Sequence, residues 1–314
     1  MNKKDKIYIA GHSGLAGSAI LRKLTSEGYS NLYTEVSGRL DLRNQEDVNN
    51  YIFLVKPNYI FLCAGLVGGI HANNTRRAEF IYDNIMIQTN VIHAAYSFKV
   101  KKLLALGSAC IYPRNNEGAI SEDKLLTGEL EPTNEPYAIS KIAALKTCDA
   151  YRDQYGCNFI SAMPTNLYGI GDTYDPLKAH VVPALIRKFI VAKSSNSDVV
   201  IWGTGTTRRE FMYVDDMADA CIFLMENYNE KGHINVGTGV DIELNNLATM
   251  IADLIGFKGK IVHDLTKPDG MPKRRLDVSK LNVMGWEAKT TLREGLKKTI
   301  EDIYKTEKHL EWIK

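Results

Sequence analysis

The sequence contains no long apolar run, no cysteine pair at CxxC spacing and almost no charge imbalance. No apolar stretch approaches the roughly 18 residues that span a bilayer, so no membrane partner is expected. The five cysteines (63, 110, 148, 157 and 221) are odd in number and show no metal or redox spacing. Free thiols in a reducing compartment and no bound metal are the expectation. Net charge is +2, from 39 basic and 37 acidic residues, which gives no reason to expect a nucleic-acid partner. Short basic clusters (Lys3-Lys4, Arg76-Arg77, Arg208-Arg209, Lys273-Arg274-Arg275) suit one anionic ligand better than a polymer. The opening MNKKDKIYIAG enters a strand at once, with no room for the apolar core of a secretory signal. The expected location is the cytoplasm.

What is present is an α/β rhythm. The 314 residues are 45% hydrophobic and 24% charged, enough for two modest domains or one large α/β unit. Lys6 to Ala10 reads as a buried strand that runs into Gly11-His12-Ser13-Gly14-Leu15-Ala16-Gly17 and then a helix to about Glu27. A strand, a glycine turn and a helix N-terminus together make an anion site. Backbone N–H groups approach a pyrophosphate there, and the helix dipole favours its charge. A second strand over Asn31 to Val36 ends near Glu35, Ser37 and Arg39. An acid at that end favours a free ribose 2′-hydroxyl and an arginine a 2′-phosphate, so this signal is mixed. Asp41 and Leu42 would flank the adenine.

A helix over Gln45 to Val55 ends at Pro57, and Tyr59 to Ala64 is apolar on both faces, as a central parallel strand should be. Gly65 to Ile70 comes next as a tight loop on the nicotinamide side. Asn73-Asn74 are expected to cap one long helix to about Phe98, broadly apolar through Phe80, Ile81, Ile85, Ile87, Val91 and Ile92. Lys102 to Leu106 is a strand that delivers Ser108 and Cys110 at its carboxyl end, where functional groups gather in open α/β sheets. Tyr137 and Lys141 lie four apart on the next helix and share a face. An ammonium beside a phenol is expected to lower the phenol's pKa and make it usable for proton transfer near neutrality. Ser108 would hold a substrate oxygen beside it. Asn158 to Met163 is the next strand, and Ile234 to Val236 is expected to return to the main sheet.

The motifs Gly11–Gly17, Gly107-Ser108-Ala109-Cys110-Ile111-Tyr112-Pro113, Glu131–Ala138 with Lys141, and Pro164-Thr165-Asn166-Leu167-Tyr168-Gly169 resemble the GDP-L-fucose synthase family. These enzymes are extended short-chain dehydrogenases/reductases. Arg209-Glu210-Phe211, Val214-Asp215-Asp216, His233 to Gly239 and Lys267-Pro268-Asp269-Gly270 continue the resemblance over nearly the whole chain. It implies NADPH-dependent 3,5-epimerisation and 4-reduction of a GDP-linked 4-keto-6-deoxy sugar. Cys110 and His180 match the family's proton-transfer pair, and Ser108, Tyr137 and Lys141 its reductive triad. Cofactor contacts carry over to Gly11, Ser13, Gly14, Leu15, Ala16, Gly17, Arg39, Asp41, Leu42, Ala64, Gly65, Tyr137, Lys141, Pro164, Asn166, Leu167 and His180. Nucleotide-sugar contacts carry over to Ser108, Asn166, Val181, Leu185, Lys188, Trp202 and Arg209. For Trp202, base or ribose contact and plain core packing are both open. Where the family often has arginine this chain has Ser13 and Lys188, so Arg39 or another cation must meet a 2′-phosphate.

The expected architecture is a doubly wound Rossmann parallel sheet, residues 1–169 plus about 213–237. A smaller, interleaved α/β substrate domain would take 170–212 and 238–314. A homodimer is expected through two long helices, about 75–98 and 137–155. The second reading is a GDP-4-keto-heptose reductase of a surface-polysaccharide pathway with Cys110 and His180 idle. A 4,6-dehydratase is disfavoured, because Ala109-Cys110 stand where that class needs an acid pair. A dinucleotide-sensing regulator would have no use for Ser108, Tyr137 and Lys141 together.

Overall fold

The computed structural model describes residues 1–116, 118–267 and 273–312. Pro268 to Gly270, part of one family motif, lies outside the described residues.

The chain begins as expected, with β1 (Ile7–Ala10) and α1 (Leu15–Ser26) joined by the glycine turn. The second strand, β2, is shorter than the sequence suggests and covers only Leu32–Tyr33. Asn44 then caps α2 (Gln45–Val55), its side chain accepting from the amides of Glu46 and Asp47. After β3 (Tyr59–Leu62) the expected single helix is two. Helix α3 (Ile70–Thr75) breaks at Arg76, whose φ is −119° and ψ 39°, and α4 (Arg77–Ser97) follows. Asn73 is not a cap. It sits inside α3 and donates to the carbonyls of Gly68 and Gly69, at 2.6 and 3.1 Å. An asparagine that bonds its own loop looks the same in sequence as one that caps a helix.

Next come β4 (Lys102–Leu106), α5 (Glu135–Tyr155), β5 (Phe159–Pro164) and β6 (Asn166–Tyr168). Then come α6 (Val181–Ser195), β7 (Val199–Trp202), β8 (Arg208–Tyr213), α7 (Val214–Asn227) and β9 (His233–Val236). The chain closes with β10 (Asp241–Glu243), α8 (Leu244–Ile255), β11 (Ile261–Asp264), β12 (Lys273–Arg274), α9 (Ser279–Val283) and α10 (Leu292–Lys305).

The main sheet is wholly parallel, in the order β2-β1-β3-β4-β5-β9. Its strands are apolar on both faces because helices cover both. One cluster packs β1, β4 and β5 against α1 and α7 through Ile9, Ile20, Phe61, Leu104, Ala218 and Leu224. The opposite face packs on α2, α4 and α5 through Tyr8, Ile52, Val91, Ile92 and Ala144. From β1 the chain goes to one edge and then returns to build the other half. The order therefore reverses between β1 and β3, and open α/β sheets bind ligands outside such a reversal.

The later elements build a separate apolar cluster. Phe189, Ile190, Phe211, Leu247, Ile251, Leu296 and Ile300 join α6, β8, α8 and α10. Beside it lie a four-stranded group (β10-β8-β12 with β6 on β8) and the β7–β11 pair.

Candidate active site

The glycine turn is shaped by contacts that admit no side chain. Gly11 has φ +86°, and a Cβ there would lie 2.6 Å from the backbone of Ala64, two residues past β3. A Cβ on Gly17 would strike the Gly11 carbonyl. The turn is thus pressed against the end of β3, at the reversal point of the sheet. Among the described residues no side chain caps α1, whose N-cap is Gly14, which leaves its first amides open to an anion. Ser13 and Gly14 are exposed at the same edge. The sequence offers Arg39 for the ribose and Asp41 for the adenine. Arg39 is exposed and lines a shallow hollow with Glu35, Asp47 and Tyr51. Asp41 is occupied by Arg43, which holds its carboxyl below the ordinary range.

Strand β4 and helix α5 meet at the second feature. Ser108, just past β4, accepts at its hydroxyl from the Cys110 amide at 3.4 Å, and that hydroxyl lowers the pKa of both the Tyr137 phenol and the Cys110 thiol. Lys141 is 4% exposed and donates to the Leu106 carbonyl at 2.9 Å. Its ammonium lies 5.7 Å from the centre of the Tyr137 ring. The expected lowering of the phenol's pKa is not what the geometry gives. Burial pushes Tyr137 well above its ordinary value, and Lys141 is pulled down to about 8. Both groups sit in protein rather than water, and desolvation penalises each charged form. A phenol held neutral is a proton donor, which is the form a ketone reduction uses.

Cys110 is buried, and burial pushes its thiol up. The Ser108 hydrogen bond and the cations of Arg274 and Lys141 act the other way. His180 is the N-cap residue of α6 and is exposed at its surface, while the protein crowding it holds the imidazole below its usual value. The loop after β3 links the two regions. A Cβ on Gly65 would sit 3.7 Å from the Lys141 ammonium, and the Gly69 amide donates to the Lys178 carbonyl at 3.0 Å.

The residues read for nucleotide-sugar contact fall into two groups. Leu185 is buried in the α6–α8 cluster. Val181, Lys188 and Trp202 are exposed, and Asn166 is exposed at the end of β6. Trp202 is 64% exposed, so core packing is excluded for it. Its ring is flanked by the ammonium groups of Lys188 and Lys267, at 5.6 and 5.7 Å. Arg209 on β8 lies electrostatically close to Arg274 and Glu131. Pro164 is buried and Leu167 half-buried next to Asn166, whose amide donates to the Glu210 carbonyl at 2.8 Å.

Residues 7–237 match the model of the NAD dependent epimerase/dehydratase family. GDP-L-fucose synthase 1 of Arabidopsis thaliana is 52% identical over 301 residues, covering 96% of this chain and 93% of that protein. The chain belongs to the GDP-L-fucose synthase family. Two solved structures of similar shape bracket its range. A GDP-6-OMe-4-keto-L-xylo-heptose reductase from C. jejuni superposes with a TM-score of 0.93 at 37% identity, covering 98% of this chain and 99% of that one. A GDP-L-fucose synthetase from Naegleria fowleri bound to NADP superposes with a TM-score of 0.92 at 26% identity, covering 98% and 96%.

Three residues in the site went unread in the sequence. Asn84 on α4 shapes the loop after β3, accepting from the Leu66 amide at 2.8 Å and donating to the Leu66 carbonyl at 3.0 Å. Glu210, fully buried, accepts from the amides of Thr238, Gly239 and Leu276 at 2.6, 2.9 and 2.7 Å. Arg274 donates into the Cys110 turn. A buried carboxylate on a strand next to two arginines has no local signature of its loop partners. The only sequence signal for Arg274 was the basic run that contains it.

Proposed function

We propose that this chain is an NADPH-dependent 3,5-epimerase and 4-reductase of a GDP-linked 4-keto-6-deoxy sugar, producing GDP-L-fucose or a close relative. The observation that carries this reading is the meeting of two chemistries at Ser108, whose hydroxyl accepts from the Cys110 amide and acts on both the Tyr137 phenol and the Cys110 thiol. The 52% identity to a plant GDP-L-fucose synthase supports the substrate class. The NADP bound in the Naegleria fowleri structure supports the cofactor. The turn at Gly11, closed to any Cβ, and the uncapped α1 fit a pyrophosphate.

The 4-ketone acidifies the hydrogens on C3 and C5. Cys110 takes or gives a proton on one face of the sugar and His180 on the other, while Ser108 donates to the C4 oxygen that carries the enolate charge. NADPH, when bound, supplies the hydride to C4. Tyr137 then gives its proton to the C4 oxygen, and Lys141 orients the phenol and holds the nicotinamide ribose. Arg39 meets the 2′-phosphate in place of the family's arginine at Ser13. Arg209 takes the sugar diphosphate, and Trp202 between its two lysines stacks on the base. The β1–β9 sheet and its helices form the dinucleotide part, and the α6, α8 and α10 cluster the sugar part. Two copies pair through α4 and α5, which carry the exposed Tyr82, Ile139 and Tyr155. The enzyme works in the cytoplasm and supplies a surface polysaccharide.

The deciding test is one reaction in D₂O with GDP-4-keto-6-deoxy-mannose and NADPH. Loss of NADPH absorbance with deuterium at two carbon positions establishes both activities. NADPH loss without carbon-bound deuterium leaves a plain reductase. That result favours the second reading, a GDP-4-keto-heptose reductase, for which the likeness to the C. jejuni reductase speaks. No NADPH loss refutes the cofactor and substrate together and calls for NADH and heptose substrates.

A further inference from the structure

Arg274 has no part in the proton and hydride transfers assigned to Cys110, His180, Ser108, Tyr137 and Lys141. It ends the two-residue strand β12, which pairs in parallel with β8 so that Arg274 lies beside Arg209. From there its guanidinium crosses to the turn after β4. One terminal nitrogen donates to the carbonyl of Ala109 at 2.9 Å and to that of Tyr112 at 3.1 Å. Those two carbonyls flank Cys110 and Ile111, so a single cation spans the turn that carries the thiol. Its Nε is buried with no partner, and it makes no ion pair among the described residues. Arg274 is half-buried, and the Glu131 carboxylate acts on it without forming an ion pair, so its charge is left to the turn.

We propose that Arg274 is the positioning residue for Cys110, clamping the Ala109–Tyr112 turn and supplying the positive charge that favours the thiolate over the thiol. The inference rests on the reading of Cys110 as an epimerisation base. In that step the thiolate sulfur takes the proton from C3 or C5. The C–H electron pair moves into the ring and out to the C4 oxygen, and the thiol later returns a proton to carbon. The thiolate fraction at working pH therefore sets the rate.

The charges that face this pair are few. Cys110 meets the Ser108 hydroxyl after β4, the Lys141 ammonium and Tyr137 phenol on α5, and Arg274 on β12. Arg274 in turn faces Cys110, Glu131, Tyr112 and Arg209. Burial works against the thiolate, and the Ser108 hydroxyl, the Arg274 and Lys141 cations and the backbone amide of Cys110 itself oppose it. Lys141 donates to the Leu106 carbonyl and is pulled toward neutrality near pH 8. Arg274 stays charged through the physiological range, which makes it the dependable one.

The test titrates the thiol in the full-length enzyme without substrate. The rate of Cys110 alkylation by iodoacetamide is measured against pH by peptide mass spectrometry in wild type, Arg274→Gln and Arg274→Lys. Arg274→Gln is expected to cut Cys110 alkylation about tenfold at pH 7.5, corresponding to a thiol pKa about one unit higher. Arg274→Lys, which keeps the charge on a shorter side chain, should recover most of that rate. In D₂O the acid limb of the C–H exchange profile should move up by the same amount in Arg274→Gln. An unmoved alkylation profile in Arg274→Gln overturns the proposal, as does a moved thiol with an unmoved exchange profile. If Arg274→Gln proves unfolded by circular dichroism, Arg274→Lys alone decides: a thiol profile shifted as far as for complete loss of charge overturns the electrostatic role. Absence of exchange in the wild-type enzyme would instead refute Cys110 as a base, and the alkylation profiles would still judge Arg274.

Discussion

The two sides of the site keep very different amounts of water. Around Ser108, Lys141 is 4% and Cys110 7% exposed, and desolvation dominates the titration of Tyr137, Lys141 and Cys110. Around Trp202 the side chains stand in solvent, and even the charged groups are exposed. Proton transfer gains from a dry, fixed setting, where a dipole or charge acts at full strength. Binding a large nucleotide sugar needs a surface that the ligand itself closes. The dry side is held by buried strands of the main sheet. The wet side hangs on short strands and on Glu210, which ties β8 to the loops at 238 and 276.

The contrast can be broken most sharply at its dry end. Tyr137→Phe removes the proposed proton donor and should lower the rate of NADPH oxidation by about 10³-fold. Dinucleotide affinity should stay within about twofold by fluorescence titration; a reduction rate near wild type would remove Tyr137 from the mechanism. The next effect is on stability. Glu210→Ala leaves one buried and two half-buried amides without their acceptor and should cost about 3 kcal/mol in urea unfolding. A loss under about 1 kcal/mol would mean that the loops do not depend on this carboxylate.

Acid should reveal a smaller effect at the dry edge. Tyr112 bonds His233 at 2.8 Å and also Asn235, and burial holds the His233 imidazole at about 4. Its folded pKa is depressed, so between about pH 6.5 and 4 the unfolded chain binds the extra proton. Stability should fall as pH drops through that window, by up to about 3 kcal/mol. His233→Asn should flatten the slope of melting temperature against pH over this range, and an equally steep slope would clear His233. The smallest effect belongs to the wet side. Trp202→Ala should raise the KM for the GDP-sugar about tenfold with kcat within twofold, the pattern of lost uniform binding. A fall in kcat with unchanged KM would place Trp202 in the chemistry instead.

Much of the dry side was legible in residue order. Glycines at 11, 14 and 17 after an apolar strand, and Ser108 at a strand end with Tyr137 and Lys141 four apart, are local patterns. Their physics acts over a few residues. The break at Arg76 was not legible, because Asn73 bonds the loop behind it rather than capping the helix ahead. Nor was the direction of the Tyr137 shift. Spacing told which cation was near, but burial decides which effect is larger. On the wet side, periodicity left Trp202 open between core and surface, and only the fold put its ring between Lys188 and Lys267.

By itself the sequence determined the parallel sheet, the glycine turn at its reversal and the residue types of the triad, since each rests on hydrophobic period and on neighbours a few positions apart. Tertiary structure alone decided what meets across the chain: Arg274 on the carbonyls of Ala109 and Tyr112, Glu210 on Thr238 and Leu276, and the dryness around Lys141. Charge, hydrogen bonding and desolvation act through space, and partners 28 to 165 residues apart leave no mark on the residues between them.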